Sequence, residues 1–236
     1  MSAHAVFAPS SAEQWGHCSG QPQAAAENPK PETPQSREGT AAHWVGSETL
    51  ESGGRDCGVY LGTKAPNGII IDDKMVDGAQ VYVDDVLAVC DMYDARSLLR
   101  IEKRVDMLAI DSEGANWGTY DSSLYLPVLN LLFLWDYKHG FSEVSARENF
   151  QLADYAEGLV EYHGIDVSQL DLYARVVQPF AFSPGGPVSK WFTPLVELIP
   201  IWDQLARQIV ESRTNPTLTT GYHCRYCPAL GKCSAS

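Results

Sequence analysis

The sequence predicts an α/β fold, a β-sheet with helices packed against it. Two strands are legible at Thr119–Leu126 and Leu131–Tyr137, and the second is apolar at nearly every position, as a strand covered on both faces is. Between Asp72 and Tyr93 the apolar residues Met75, Val76, Ala79, Val83, Val86, Leu87 and Cys90 fall at helical spacing.

The remaining elements follow in chain order. Ser10 with Glu13 forms a capping-box pattern, which predicts a short helix over Ser11–His17 that delivers Cys18 at its end. Gly20–Ser36, rich in Pro, Gln, Ala and Glu, reads as a loop. A helix is expected over Glu38–Leu50, carrying His43, and a glycine-rich loop over Glu51–Gly68. Arg100–Ile110 alternates as a strand does. Ser145–His163 reads as a helix, Asp171–Phe182 as a further strand, and Thr193–Ser212 as a long amphipathic helix. The tail, Asn215–Ser236, reads as a loop holding three cysteines.

A length of 236 residues suits one domain with its own core. The longest apolar stretch, Leu124–Trp135, is interrupted by Pro127 and Asn130, so no membrane span is expected. Met1–Ser10 has neither the basic region nor the apolar core of a signal peptide, and a cytoplasmic location is expected. The net charge of −13, from 17 basic and 30 acidic residues, weighs against nucleic acid as a partner, because phosphate binding uses Lys and Arg. Much of the acid, however, lies at Asp72, Asp73, Asp77, Asp84, Asp85 and Asp91 on one expected helix, which reads as a solvated face. Bound metal ions also bring positive charge into acidic clefts.

The chemistry centres on Asp136-Tyr137-Lys138 at the end of an apolar strand. Alternate side chains of a strand share a face, so Asp136 and Lys138 project together. A carboxylate beside a lysine suits phosphoryl transfer: the first binds a hard divalent cation, the second stabilises charge on phosphate. If the two central strands pair as neighbours, Asp121 and Asp136 reach one ion. Gln151 and Tyr155, four apart on the next helix, share one face of it. Glu102 fits a strand-edge ion pair or a metal or substrate role and is not assigned. Arg100, Lys103 and Arg104 are available for phosphate contacts.

Of six cysteines, Cys57 and Cys90 stand singly and read as plain residues. Cys224-x-x-Cys227-x5-Cys233 reads as a metal site in a reducing compartment. Zinc and an iron–sulfur cluster both take four thiolates, so a fourth ligand must come from Cys18, Cys57, Cys90, His17 or His223.

Taken together, GTAAH (Gly39–His43), GTYD ending at Asp121, DYK (Asp136–Lys138) and QLADY (Gln151–Tyr155) resemble, in order, the motifs of RecB-like nucleases of the PD-(D/E)XK superfamily. The likeness is to the small phage-encoded and CRISPR-adaptation exonucleases that carry an iron–sulfur cluster, and it spans nearly the whole chain. It implies a restriction-endonuclease-like core at about 38–212, with a central mixed sheet flanked by helices. It also implies a clasp built from 10–20 and 215–236, in which Cys18, Cys224, Cys227 and Cys233 hold a [4Fe–4S] cluster. His43, Asp121, Asp136 and the backbone carbonyl of Tyr137 would bind Mg²⁺ or Mn²⁺. Lys138 would be the catalytic lysine, and Gln151 and Tyr155 would line the DNA path. The expected function is a metal-dependent deoxyribonuclease in phage or host recombination, partnered by a single-strand annealing protein or helicase. Two alternatives are a hydrolytically inactive DNA-binding accessory protein with an iron–sulfur or zinc site, and an iron–sulfur or zinc protein acting in redox or protein contact.

Overall fold

The computed structural model describes residues 5–235. The reading of Met1–Ser10 therefore falls partly outside the described residues. A five-stranded mixed sheet is flanked by helices on both faces. Its strands are β1 (Leu99–Asp106), β2 (Trp117–Leu126), β3 (Leu131–Tyr137), β4 (Asp171–Val177) and β5 (Val188–Pro194), side by side in sequence order. Pairing is antiparallel except between β3 and β4, which run parallel. Parallel neighbours need a crossover, and α5 (Phe150–His163) supplies it.

One face carries α3 (Pro34–Glu51) and α4 (Asp73–Met92); their Ala41, Val45, Ala79, Val83 and Val86 pack on Leu124, Phe133 and Trp135. The other carries α1 (Ala12–Trp15), α5 and α6 (Ile199–Thr214), whose Trp15, Leu152, Leu159, Leu205 and Ile209 cover Tyr120, Leu132 and Leu134. Covering on both faces is why β3 reads as an unbroken apolar run.

An unbroken strand keeps residues two or four apart on one face, and β1 and β2 depart from this. Ile101 packs in the α3/α4 core, whereas Val105 packs in the α5 core. Tyr120 belongs to the α5 core, yet the Ser122 hydroxyl accepts a hydrogen bond from Tyr82 of α4 at 2.9 Å. Both strands thus change face, β1 near Glu102 and β2 at Asp121. Glu102 has φ of 47°, a left-handed conformation uncommon for a non-glycine residue.

Some elements differ from expectation for local reasons. Gln21–Glu27 is a helix (α2) rather than loop, with Pro22 in its first turn. Helix α3 starts at Pro34, four residues before Glu38, because Thr33 and Ser36 form a reciprocal capping box. Helix α5 begins at Phe150, not Ser145; Asn149 caps it by accepting from the Leu152 N–H at 3.1 Å. Strand β5, an edge strand with a half-exposed face, occupies residues where the long C-terminal helix was expected to start; Pro200 sits in the first turn of α6. The N-terminal helix spans only Ala12–Trp15 and has no side-chain cap, so the Ser10–Glu13 pattern is not used. No helix among the described residues is long and apolar enough to cross a membrane.

The acidic helix α4 is not solvated throughout. Asp85 accepts from both Nε and Nη2 of Arg175 on β4, at 2.7 and 2.6 Å, and from the indole N–H of Trp135 on β3 at 2.8 Å. Arg175 is buried, so removing its counter-charge leaves an uncompensated ion. Asp85→Ala is expected to lower stability by about 3–5 kcal/mol, read as a drop in the urea midpoint at unchanged slope.

Candidate metal centre at a row of three carboxylates

The flanking pairs Ile101↔Ser122 and Lys103↔Tyr120 set Glu102 opposite Asp121. The β2–β3 pairing ends at Ser122↔Trp135, which sets Asp121 next to Asp136. Glu102, Asp121 and Asp136 therefore form one cross-strand row, at the point where β1 and β2 change face.

Helix α3 brings His43 to this row. One ligand-capable atom each of His43, Glu102 and Asp121 lies within 4.8 Å of the others, the one such trio among the described residues. His43 Nδ1 is 3.5 Å from Asp121 Oδ1. The other Asp121 oxygen accepts from the Tyr137 amide at 2.6 Å, so Tyr137 enters the site through its N–H as well as its ring, which lies 4.9 Å from that of His43. Asp136 stands outside the trio and is held from the opposite side. Lys138 Nζ lies 3.0 and 2.9 Å from its two oxygens, and Gln151 Nε2 donates to it at 2.8 Å. Lys138 also donates to Gln151 Oε1 at 3.0 Å, closing a three-residue ring.

Charge is balanced unevenly along the row. Burial opposes ionisation of Asp121, but His43, the Tyr137 N–H and Lys138 outweigh it and hold its pKa below the usual range. Asp136 goes the other way: burial and the nearby Asp121 raise its pKa despite Lys138. Burial works against protonated His43 and Lys138, yet the carboxylates raise both. Glu102 is exposed as a residue, but its carboxyl faces the site. Desolvation there, then the neighbouring Asp121 charge, pushes it up to about 7.

Tyr137 is fixed by a polar chain. With the proton on Nε2, His139 donates to Glu38 Oε1 at 3.1 Å and accepts from the Tyr137 hydroxyl at 2.9 Å. Lys74 donates to the same Glu38 oxygen at 2.6 Å. The Tyr137 ring also stacks on Tyr82, with centroids 5.3 Å apart. Gly78 of α4 makes room for this: a Cβ there would lie 2.6 Å from the Tyr137 hydroxyl and 2.8 Å from Phe180.

Tyr155 is placed differently from Gln151. It is buried, and its hydroxyl donates to the Thr119 carbonyl at 2.7 Å, tying α5 to the start of β2. Gly118 permits the approach, since a Cβ there would meet the Tyr155 ring and hydroxyl at 2.9 Å. Sequence reasoning did not assign Glu102 and missed Glu38 and His139. Glu102 has no ion-pair partner within 4 Å among the described residues, and only its register opposite Asp121 reveals it.

A second recess lies at the far end of α1. Cys18, Cys224, Cys227 and Cys233 all line it, together with His223, Leu218 and Leu230. The chain ends meet there through hydrogen bonds from Gly20 N to Thr217 O (3.0 Å) and from Thr217 N to the Ser19 hydroxyl (2.9 Å). Cys57 and Cys90 lie elsewhere, fully buried in the α3/α4 core, where burial pushes each thiol up to about 11.

A family model described as "Protein of unknown function (DUF2800)" matches residues 4–236. The chain belongs to the DUF2800 family. In this DUF2800 chain the matched region holds both candidate centres, one built on the sheet from residues inside it and one on its two joined ends.

Gly78→Ala should disturb the sheet centre through Tyr137, whose hydroxyl a Cβ there would meet at 2.6 Å. Overpacking of this kind costs about 1–3 kcal/mol, and displacement of Tyr137 is expected to change the His43 imidazole resonances in an NMR spectrum. Unchanged resonances would show that Tyr137 does not position His43.

Proposed function

We propose that this DUF2800 protein is a metal-dependent deoxyribonuclease with a RecB-like PD-(D/E)XK core. The observation that carries the reading is the convergence of His43, Glu102 and Asp121 beside a lysine that Asp136 and Gln151 hold in place. One imidazole nitrogen and two carboxylate oxygens fit a divalent ion such as Mg²⁺ or Mn²⁺. The resemblance adds Asp136, next in the row, and the Tyr137 carbonyl.

When bound, such an ion supplies positive charge against the phosphate and lowers the pKa of water. The protein's own groups do the rest. Asp121, kept ionised by His43 and the Tyr137 amide, provides a fixed negative ligand. Lys138 keeps its protons at Nζ because the carboxylates favour its charged form, so it can donate to a phosphate oxygen as charge develops there. Gln151 orients that ammonium. Water attacks phosphorus in line, and the 3′ or 5′ oxygen leaves.

The same reading assigns the recess to a [4Fe–4S] cluster with a structural role. Four thiols around one recess suit either zinc or a cluster, and the resemblance selects the cluster. Cys18, Cys224, Cys227 and Cys233 would hold it.

Lys138→Ala and Asp121→Asn are each expected to reduce Mn²⁺-dependent degradation of end-labelled DNA by about 10²–10³-fold, with an unchanged far-UV circular dichroism spectrum. Undiminished degradation by both variants would refute the site. Cys227→Ala in anaerobically purified protein should lose the broad violet absorbance band and the bound iron. Stoichiometric zinc and no iron in the parent protein would replace the cluster by a single ion.

A further inference from the structure

Outside the site, a positively lined groove lies along the outer edge of the sheet. This open groove is lined by Arg96, Arg100 and Lys103, with one acid, Glu51, and a floor of Leu50, Leu99 and Ile101. None of these three cations has a carboxylate within 4 Å among the described residues, whereas Arg55, Arg104, Arg175 and Arg213 are all so paired. Three cations against one acid make this a positive strip on a chain of net charge −13.

The strip adjoins the candidate metal centre, because the two share both walls. Helix α3 carries His43 in the centre and Leu50 and Glu51 in the groove, about 12 Å further along at 1.5 Å per residue. On β1, Ile101 and Lys103 line the groove and flank Glu102, which turns to the centre. Arg100 and Lys103 are thus within about 7 Å of Glu102 along the strand. The Arg100 guanidinium is braced from behind by donating to the Ser97 and Leu99 carbonyls at 3.2 and 3.1 Å, and Arg96 by donating to Gly54 O at 2.8 Å.

We propose that this groove holds the phosphodiester backbone of the nucleic-acid strand that enters the His43–Glu102–Asp121 centre, with Arg96, Arg100 and Lys103 contacting successive phosphates. The inference rests on the nuclease reading for its substrate, but concerns binding rather than hydrolysis. It accounts for how an acidic protein takes an acidic substrate: the contacts are few, local and next to the reacting phosphate. It also predicts a small number of released counterions, about one per cation.

The test is fluorescence anisotropy of a labelled 20-nucleotide oligo(dT), and of the corresponding duplex, with the full chain in EDTA so that hydrolysis is silent. The parent protein should bind with a salt dependence that falls by about two phosphate contacts in Arg100→Glu/Lys103→Glu, with affinity at least tenfold weaker. Arg100→Gln/Lys103→Gln should show the same direction with a smaller loss, which covers the case in which charge reversal prevents folding. The oligonucleotide or the duplex, whichever loses more affinity, is the form the groove takes. No binding by the parent protein, or equal affinity and salt slope in both variants, overturns the groove. Loss of binding in these variants, with no hydrolysis by the parent in Mn²⁺, would leave the groove standing and refute the nuclease reading instead.

Discussion

Three carboxylates in one cross-strand row repel one another, and the structure around them is arranged to hold them there. Glu102, Asp121 and Asp136 come from adjacent strands of a single sheet, so the backbone ladder fixes their spacing. Counter-charge arrives from both faces: His43 from α3 on one side, Lys138 with Gln151 of α5 on the other. The row marks the places where β1 and β2 pass from one core to the other, so side chains from both helical layers can meet at it. A strand of unbroken alternation would present only one layer to the site. Glu102 holds a left-handed backbone, uncommon for a non-glycine residue, at the point where β1 changes face.

Much of this was legible in the sequence, for identifiable reasons. β3 is covered on both faces, so its apolar run marked both the strand and its polar end at Asp136–Lys138. α4 carries its apolar residues on one stripe, and its boundaries were read to within one residue at each end. Gln151 reaches Asp136 and Lys138 because α5 is regular and its first turn abuts β3. Local chemistry that competes with periodicity was harder. The capping box at Thr33–Ser36 extended α3 into a proline-rich stretch, and β5, half exposed at the sheet edge, carries no clean alternation.

Glu102 was not assigned because no motif surrounds it. Its role depends on the register of β1 against β2, and register is a property of the folded pair, not of either strand. The solvated reading of the α4 acids failed at Asp85 for a related reason: its partners, Trp135 and Arg175, lie 50 and 90 residues away in sequence. Tyr155 shares the face of Gln151 as helical spacing requires, but one turn further along α5 it lies under β2, where its hydroxyl is taken by the Thr119 carbonyl.

The joined chain ends impose an order on biosynthesis. Cys18 Sγ accepts from the Thr219 amide, 201 residues on, and the three other thiols of the recess lie further still. While the chain is being made, the sheet and its helices can form as their residues emerge from the ribosome, and Phe7 and Trp15 can pack on them, but the recess at Cys18 stays open until the tail arrives. Contacts of such sequence separation form late. The recess is therefore completed after the sheet centre is in place, and arrest of synthesis before Cys224 would leave a folded sheet with its ends unsealed.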